Sequence, residues 1–576
     1  MTFPKQAWAR SEPDHKIVEE LSHSLKNSYG IELSRIGCEL LVNRKIIDPQ
    51  VVYEFLYPDL NHLHDPFSMA DMDKAIEIII DAIVARKKIW IYGDYDVDGI
   101  TSVSLLLLFL QSIGHNADFY IPDRIKEGYG LNRDAIGSIN GKGGELLITV
   151  DCGISSRDEI AFARSLGMTV IVSDHHEVPD TLPDAHAILN PRRRDCAFPF
   201  KELAGVGIAY NLLIALRGEL RRRGLFPDLP NLKRFLDLVA LGTVADVVPL
   251  VDENRLFVRY GLAELNESAR PGIIALKETS GTKTVGTSEV SFRLAPRLNA
   301  SGRIGSATMG VRLLVTDDPA EAMDIARGLD SENRKRQSME EDVLINAINI
   351  INNDRDFANR RSVVLASEGW HPGVVGIVAS RLVERFYRPV IMLSLKDGMG
   401  RGSARSITGF HLYEGLTQIG GLLSSFGGHK YAAGLSIAVE RIPEFASEFE
   451  RIVVSMTTES DFVPTLRVDA EIALADIKRH NLLHEAKLLF PFGAGNPEPL
   501  FSAKGLVVRE KRIVGNNHLR LVFRDKNDRW DAIAFGFGDF LKSEADLVDV
   551  VFHLRENQWD RGSSCELNIR GIRQVN

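Results

Sequence analysis

Between residues 87 and 179 the sequence repeats one pattern: a short β-branched or aromatic run, a polar cluster directly after it, then a stretch of helical length. "KKIWIY" leads into "GDYDVDG" and then "ITSVSLLLLFLQSIG"; "ADFYIPDR", "ELLITVDCG" and "MTVIVSDHHEVP" follow, with "SSRDEIAFARSLG" between the last two. Strands alternating with helices at this spacing predict a parallel, doubly wound α/β sheet. Such sheets bind their ligands beyond the carboxyl ends of the strands. That is where this chain places its polar residues: Asp94, Asp96 and Asp98 after the first strand, Asp151 after another, and Asp174, His175 and His176 after a third. "DLVALGTVADVVPL" adds Asp246 after an apolar segment that is expected to reach the same edge.

Like charges at alternate positions repel and bury no core, so the acidic loop needs an explanation. Taken singly, each cluster has a plain one. A DxD is more often a solvated turn, adjacent histidines are more often surface residues than ligands, and Asp151 fits a helix N-cap. Their convergence on one sheet edge favours a metal site. Hard oxygen donors with one or two imidazoles and no thiolate suit Mn²⁺ or Mg²⁺ better than zinc. So many carboxylates are excessive for one ion but sensible for two sharing a bridging aspartate, an arrangement that activates water against a phosphodiester.

The rest of the chain constrains the class of protein. At 576 residues it is too long for one core, and 44% hydrophobic with 26% charged residues is a globular composition. No apolar run has the length of a membrane span, and the first residues lack the basic-then-apolar pattern of a secretory signal. Four scattered cysteines (Cys38, Cys152, Cys196, Cys565) predict neither a disulfide framework nor a zinc site, so the expected compartment is the cytoplasm. A net charge of −9 gives nucleic-acid binding no support overall but leaves room for a local basic groove.

Residues 1–75 read as short amphipathic helices and 76–315 as the first α/β domain. Residues 316–355, charge-rich with Gly328 alone among glycines, predict a long exposed helix bridging to a second α/β unit at 356–460. Residues 461–576 turn to β, expected as a small barrel or, nearly as well, a sandwich. Arginines beside glycine-rich loops are poorly explained by packing and suit phosphate contacts. Arg293, Arg297 and Arg303 lie in "SFRLAPRLNASGRIG", Arg401, Ser403, Arg405 and Ser406 in "GRGSARS", and His429 and Lys430 in "FGGHK". His371 in "EGWHPG" is read as a strand-to-helix turn, and the tail aromatics Phe523, Trp530, Phe535 and Phe537 as core.

"GDYDVDG", "DCG", "SDHHE" and "ADVVPL" stand in the order and spacing of the DHH phosphoesterase superfamily, and "GGHKYAAG" resembles the signature of its DHH-associated domain. "LLVNRKI", "FLYPDL" and "PFGAGNPEP" extend the resemblance over the full length, to the bacterial single-strand-specific 5′-to-3′ DNA exonucleases within it. The resemblance implies a DHH domain, a connecting helix, a DHH-associated domain and a C-terminal OB-fold. It implies metal binding by Asp94, Asp96, Asp98, Asp151, His175 and Asp246, with Asp151 as the bridge. By the same resemblance His176 polarises the phosphate or assists proton transfer, and Asp174 holds a histidine tautomer. Arg297, Arg303, Ser403, Arg405, Ser406 and His429 become contacts to the DNA, the 5′-phosphate among them, and Arg509, Lys511, Arg512, Arg520 and Arg524 line an OB groove. The implied activity is two-metal hydrolysis releasing 5′-phosphate nucleotides in DNA repair and recombination, beside a RecQ-type helicase and a single-strand-binding protein. A phosphodiesterase for short oligonucleotides or cyclic dinucleotides, and a metal-free scaffold in replication, are the competing classes. The N-terminal extension and tail count against the first, and the intact ligand positions against the second.

Overall fold

The computed structural model describes residues 6–124, 127–304, 307–525, 528–542, 546–556 and 565–575, in two compact units. Strand β1 (Ala7–Arg10) opens the first unit, where the sequence predicts only helices. It is too short to show a pattern of its own, and it exists because Thr465–Val468 supplies a parallel partner. Trp8 then packs beneath the Arg573 guanidinium, 3.9 Å from ring centre to Cζ.

The second unit comprises residues 50–334 and 488–498. Its sheet holds β2 (Ile89–Gly93), β3 (Asp118–Tyr120), β4 (Leu146–Val150), β5 (Thr169–Ser173) and β6 (Ala187–Leu189). The order is β3-β2-β4-β5-β6 and every pairing is parallel. Alternation sorts the side chains between two faces. Ile89, Ile91, Ile148 and Ile171 join one apolar core with the helices Val97–Ser112, Gly205–Arg222 and Leu236–Ala245. Trp90, Tyr92, Leu147 and Val172 join another with Arg133–Gly141 and Arg157–Ser165. Both faces are covered, which is why these strands read as unbroken apolar runs.

A helix at Pro319–Asn353 carries the chain onward, and the division between the units falls within it. It is less exposed than its composition predicts: Asp330, Asn333, Arg336 and Glu340 are buried. The charges are tolerated because they are paired, Asp330 with Arg297 and Arg334, and Glu340 with Arg336 and Arg381.

In the first unit, β7 (Val363–Ser367), β8 (Val390–Lys396), β9 (Met399–Arg405), β10 (Ser425–Gly428) and β11 (Ala432–Ala438) form a mixed sheet ordered β10-β11-β9-β8-β7. β12 (Thr465–Val468) is the partner of β1, and the tail adds β13 (Ala470–Glu471), β14 (Phe501–Val514), β15 (His518–Asp525), β16 (Asp528–Ala534), β17 (Leu547–Arg555) and β18 (Glu566–Gln574). Pairing of β14 with both β15 and β17 closes β14-β15-β16-β18-β17 on itself, so the tail is a barrel and not a sandwich. Closure removes the exposed edges.

Candidate metal centre

Strand register builds the centre. Gly93 pairs with Val150, and Val150 with Ser173, so Asp94, Asp151 and Asp174 each stand one residue beyond adjacent strand ends. Leu189 pairs with Ser173 and brings Asn190 into the same row. Asp151 adopts a left-handed backbone, φ 59°, while its N–H still donates to the Ser173 carbonyl at 3.0 Å. A non-glycine residue held this way is strained, and such strain collects at functional sites.

The acidic loop turns directly into the helix Val97–Ser112. Asp96 is its N-cap, with Oδ1 accepting from the N–H of Asp98 at 3.0 Å and of Gly99 at 3.2 Å. Asp98 reaches across to the start of the helix Gly205–Arg222, where Oδ2 accepts from Gly205 N–H at 2.6 Å and Oδ1 from Val206 N–H at 2.9 Å. A helix N-terminus favours that anion. Gly99 and Gly205 are required by close approach. A Cβ on Gly99 would stand 2.4 Å from the Asp94 carbonyl, and one on Gly205 2.8 Å from Asp151 Cβ.

Ligand-type atoms within 4.8 Å of one another fall into three overlapping groups: Asp94, Asp96 and Asp151; Asp98, His175 and Asp246; and Asp151, His175 and His176. The six residues read from the sequence as ligands are therefore all brought together. Asp94 Oδ1, Asp151 Oδ1, His175 Nε2 and Asp246 Oδ2 are buried with no hydrogen-bond partner among the described residues. Each such atom costs about 1–3 kcal/mol unless something satisfies it. Four of them converging, three carboxylate oxygens with one imidazole nitrogen, fit divalent cations.

The electrostatics agree. Burial, then the neighbouring Asp96 charge, pushes Asp94 up to about 8 and Asp98 up to about 7. Burial and then Asp98 push Asp246 up to about 9 and hold Asp151 well above the carboxylate range. Burial lowers His175 to about 4, so its ring is neutral at pH 7. The Leu203 carbonyl engages one ring nitrogen, which leaves Nε2 as the acceptor 3.2 Å from Asp151 Oδ1 and 3.6 Å from Asp246 Oδ2.

Asp174 serves His176. Its Oδ2 accepts from Ile154 N–H at 2.9 Å, and its Oδ1 lies 2.7 Å from His176 Nδ1. Burial opposes the charged ring of His176, but Asp174 outweighs it and the pKa is raised. Sequence reasoning missed Tyr129, whose hydroxyl lies 3.2 Å from His176 Nδ1 and 3.3 Å from Nε2. The flanking Gly128 and Gly130, both at positive φ, are the signal that could have found it. It also missed the turn at Gly493–Gly495, part of "PFGAGN". Ala494 accepts from Leu250 N–H at 2.7 Å, and the two glycines leave room for Leu250 and Pro249, just past Asp246.

Arg297 is bound to Asp330, with Nε to Oδ1 at 2.9 Å, and Arg293 is exposed. Arg303 lies in the helix Ala295–Ile304, and its side chain falls outside the described residues. The same helix braces the acidic loop, since Asn299 Oδ1 accepts from Val97 N–H at 3.2 Å. In the first unit Arg405 donates to Ser403 Oγ at 2.7 Å, and Ser406 Oγ donates to the Phe410 carbonyl at 2.9 Å. Arg401, His429 and Lys430 are exposed. His371 caps the helix Pro372–Phe386 through Gly373 N–H at 3.1 Å. On the barrel, Phe523 and Trp530 are core as expected, but Phe535 is 53% exposed. Arg509, Arg512 and Arg524 are exposed, Lys511 is half-buried, and Arg520 faces Asp531 at 3.3 Å.

Profiles of known families match in three places: "DHH family, N-terminal domain" over residues 88–243, "DHHA1 domain" over 359–455 and "RecJ OB domain" over 468–571. The chain is 40% identical over 526 residues to the single-stranded-DNA-specific exonuclease RecJ of Escherichia coli K12, covering 88% of this chain and 90% of that protein. The chain belongs to the RecJ family. The RecJ of Bacillus subtilis 168 is 39% identical over 578 residues, covering 99% of this chain and 71% of that one. Among solved structures, RecJ of Thermus thermophilus in complex with Mn²⁺ matches with a TM-score of 0.82 at 30% identity, over 99% of this chain and 80% of that chain. The same RecJ in complex with Mg²⁺ matches at 0.77. Among the described residues no helix is long and apolar enough to cross a membrane.

Proposed function

We propose that this chain is a single-strand-specific DNA exonuclease. It digests from the 5′ end and releases 5′-phosphate nucleotides, in DNA repair and recombination. The observation that carries the reading is the sharing of Asp151 between two donor groups, one with Asp94 and Asp96, the other reaching His175, next to Asp98 and Asp246. Two Mn²⁺ or Mg²⁺ ions fit these groups, with Asp151 common to both. Bound there, the pair supplies an activated water and charge against the leaving oxygen of a phosphodiester.

The chain's own residues do the remainder. Asp96 and Asp98 spend one face on backbone N–H groups, so their carboxylates are aimed before any cation arrives. Asp174 keeps His176 protonated at Nδ1, and the ring, 42% exposed, borders Asp151 at 4.0 Å. From there it polarises a phosphate oxygen or delivers a proton to the departing 3′ oxygen. Arg297, Arg303, Ser403, Arg405, Ser406 and His429 are the proposed contacts to the DNA, its 5′-phosphate included, and the barrel binds single strand by stacking and charge. A RecQ-type helicase and a single-strand-binding protein are the proposed partners, in the cytoplasm.

The test supplies a 5′-labelled single strand, the same oligonucleotide as duplex, and a dinucleotide, each with Mn²⁺ or Mg²⁺. Release of labelled mononucleotide from the single strand alone supports the reading. Preference for the dinucleotide, or inertness of metal-loaded protein, overturns it.

A further inference from the structure

Three segments border the half of the centre formed by Asp98, His175 and Asp246, namely the DHH loop, the residues before Gly205 and those after Asp246, and a continuous run of polar contacts ties them together. Asn190 is fully buried beside the DHH segment, with Nδ2 donating to the His176 carbonyl at 3.0 Å and Oδ1 accepting from Arg192 N–H at 2.8 Å. The Arg192 guanidinium spans two carboxylates, Glu177 on the DHH loop and Glu202 Oε2 at 2.8 Å. Glu202 lies three residues before Gly205, whose N–H holds Asp98. The Glu202 carbonyl accepts from Asn254 Nδ2 at 2.6 Å, and the same nitrogen donates to the Pro249 carbonyl at 3.0 Å. Pro249 lies three residues past Asp246, and Asn254 is fully buried. The run thus goes from His176 through Asn190, Arg192, Glu202 and Asn254 to Pro249. The run does not include the acidic loop: the hydrogen bonds of Asp96 stay within its own loop and helix, and that loop is braced separately, by Asn299 Oδ1 accepting from Val97 N–H.

We infer that Arg192, with Glu202 and Asn254, is a positioning residue that holds one of the two cation half-sites, Asp98/His175/Asp246, and leaves the Asp94/Asp96 half-site independent of it. The inference rests on the two-cation reading above. Its physical content is a choice between two opposite effects of one guanidinium. As a charge, Arg192 opposes a cation, and it lowers the pKa of both His175 and Asp246. As a fork between Glu177 and Glu202 it fixes the spacing between the DHH loop, which carries His175, and the segment before Gly205, whose N–H holds Asp98. A two-carboxylate grip is directional, and Lys cannot reproduce it. Outer partners that orient metal ligands are worth about 10- to 100-fold in metal affinity, and here the orienting effect is taken to exceed the repulsion.

Mn²⁺ titration of the full chain by calorimetry, with free Mn²⁺ followed by electron paramagnetic resonance, separates these effects. The wild type is expected to take up two ions. In R192Q one ion keeps its affinity and the other weakens by about 10- to 100-fold. R192K, which keeps the charge but not the fork, weakens the same ion. E202Q, at a half-exposed position, guards against misfolding of the Arg192 variants and is expected to show the same selective loss. Tighter or unchanged binding of both ions in R192Q overturns the inference, as does equal weakening of both. A wild type that takes up no Mn²⁺ overturns the two-cation reading instead.

Discussion

His175 Nε2 lies 3.2 Å from Asp151 Oδ1, and among the described residues neither atom has a hydrogen-bond partner. The ring is neutral at pH 7, its pKa lowered to about 4 chiefly by burial, so two lone pairs face each other across that gap. Only a proton or a cation makes the contact favourable.

Asp151→Asn keeps the side chain's size but removes the shared charge. Its kcat on single-stranded DNA should fall by at least about 10²–10³-fold, the scale on which losing one preorganised electrostatic partner acts. Single-strand affinity, measured by fluorescence anisotropy, should remain. Near-normal cleavage by this variant contradicts the assignment.

Without metal, stability should fall as pH rises from 6 to 9. Asp98, Asp94 and Asp246 have folded pKa values raised to about 7, about 8 and about 9, above the ordinary value of 3.8. Raised groups hold protons in the folded state that the unfolded chain has released. Their contribution is complete below the unfolded pKa and is lost as pH rises through the folded one. Saturating Mn²⁺ should flatten the decline, and its uptake near pH 7 should release protons, read from calorimetry in buffers of different ionisation heat. A metal-free Tm that stays level over this range contradicts the account.

Asp174→Asn should leave Mn²⁺ uptake intact and lower kcat by about 10²–10⁴-fold, the contribution of a positioned proton donor. Burial already opposes the charged ring of His176, and without Asp174 it prevails. The alkaline limb of the pH–rate profile should therefore move to lower pH. Loss of Mn²⁺ instead would make Asp174 a ligand.

Gly205→Ala should weaken Mn²⁺ binding and stability together. Its new methyl would sit 2.9 Å from Asp151 Oδ1 and 3.0 Å from Asp98 Oδ2. Overpacking of this kind costs about 1–3 kcal/mol, readable by urea unfolding with and without Mn²⁺. Gly218, on the same helix with open space around it, is the control.

The barrel offers a contrast between two aromatics. Phe523 is fully buried, and Phe523→Ala should cost about 3–5 kcal/mol of stability. Phe535 is 53% exposed, and Phe535→Ala should leave the Tm unchanged while weakening single-strand binding by about 1–3 kcal/mol. Unaltered binding by that variant removes Phe535 from the DNA path.

The strand ends were legible because parallel strands buried on both faces read as apolar runs, and the first polar residue after each marks the sheet edge. Periodicity therefore located Asp94, Asp151 and Asp174 without further help. It could not say that Asp96 caps its own helix, or that Asp98 anchors another 107 residues away, because those contacts depend on how helices pack. The division of the loop aspartates between two groups was hidden for the same reason. Gly93 and Gly99 flank the acidic loop, and neither has positive φ. Both are needed for close approach, to Val103 and to the Asp94 backbone. Strand β1 and the packing of the Gly493–Gly495 turn beside Pro249 and Leu250 were hidden because each is defined by a partner hundreds of residues away.

The central claim is a pair of cations sharing Asp151. Electron paramagnetic resonance of the chain loaded with two equivalents of Mn²⁺ tests it most directly. The account predicts a spin-coupled pair in the wild type and an uncoupled, weaker-binding signal in Asp151→Asn. Two uncoupled ions in the wild type, or saturation at one, would contradict it.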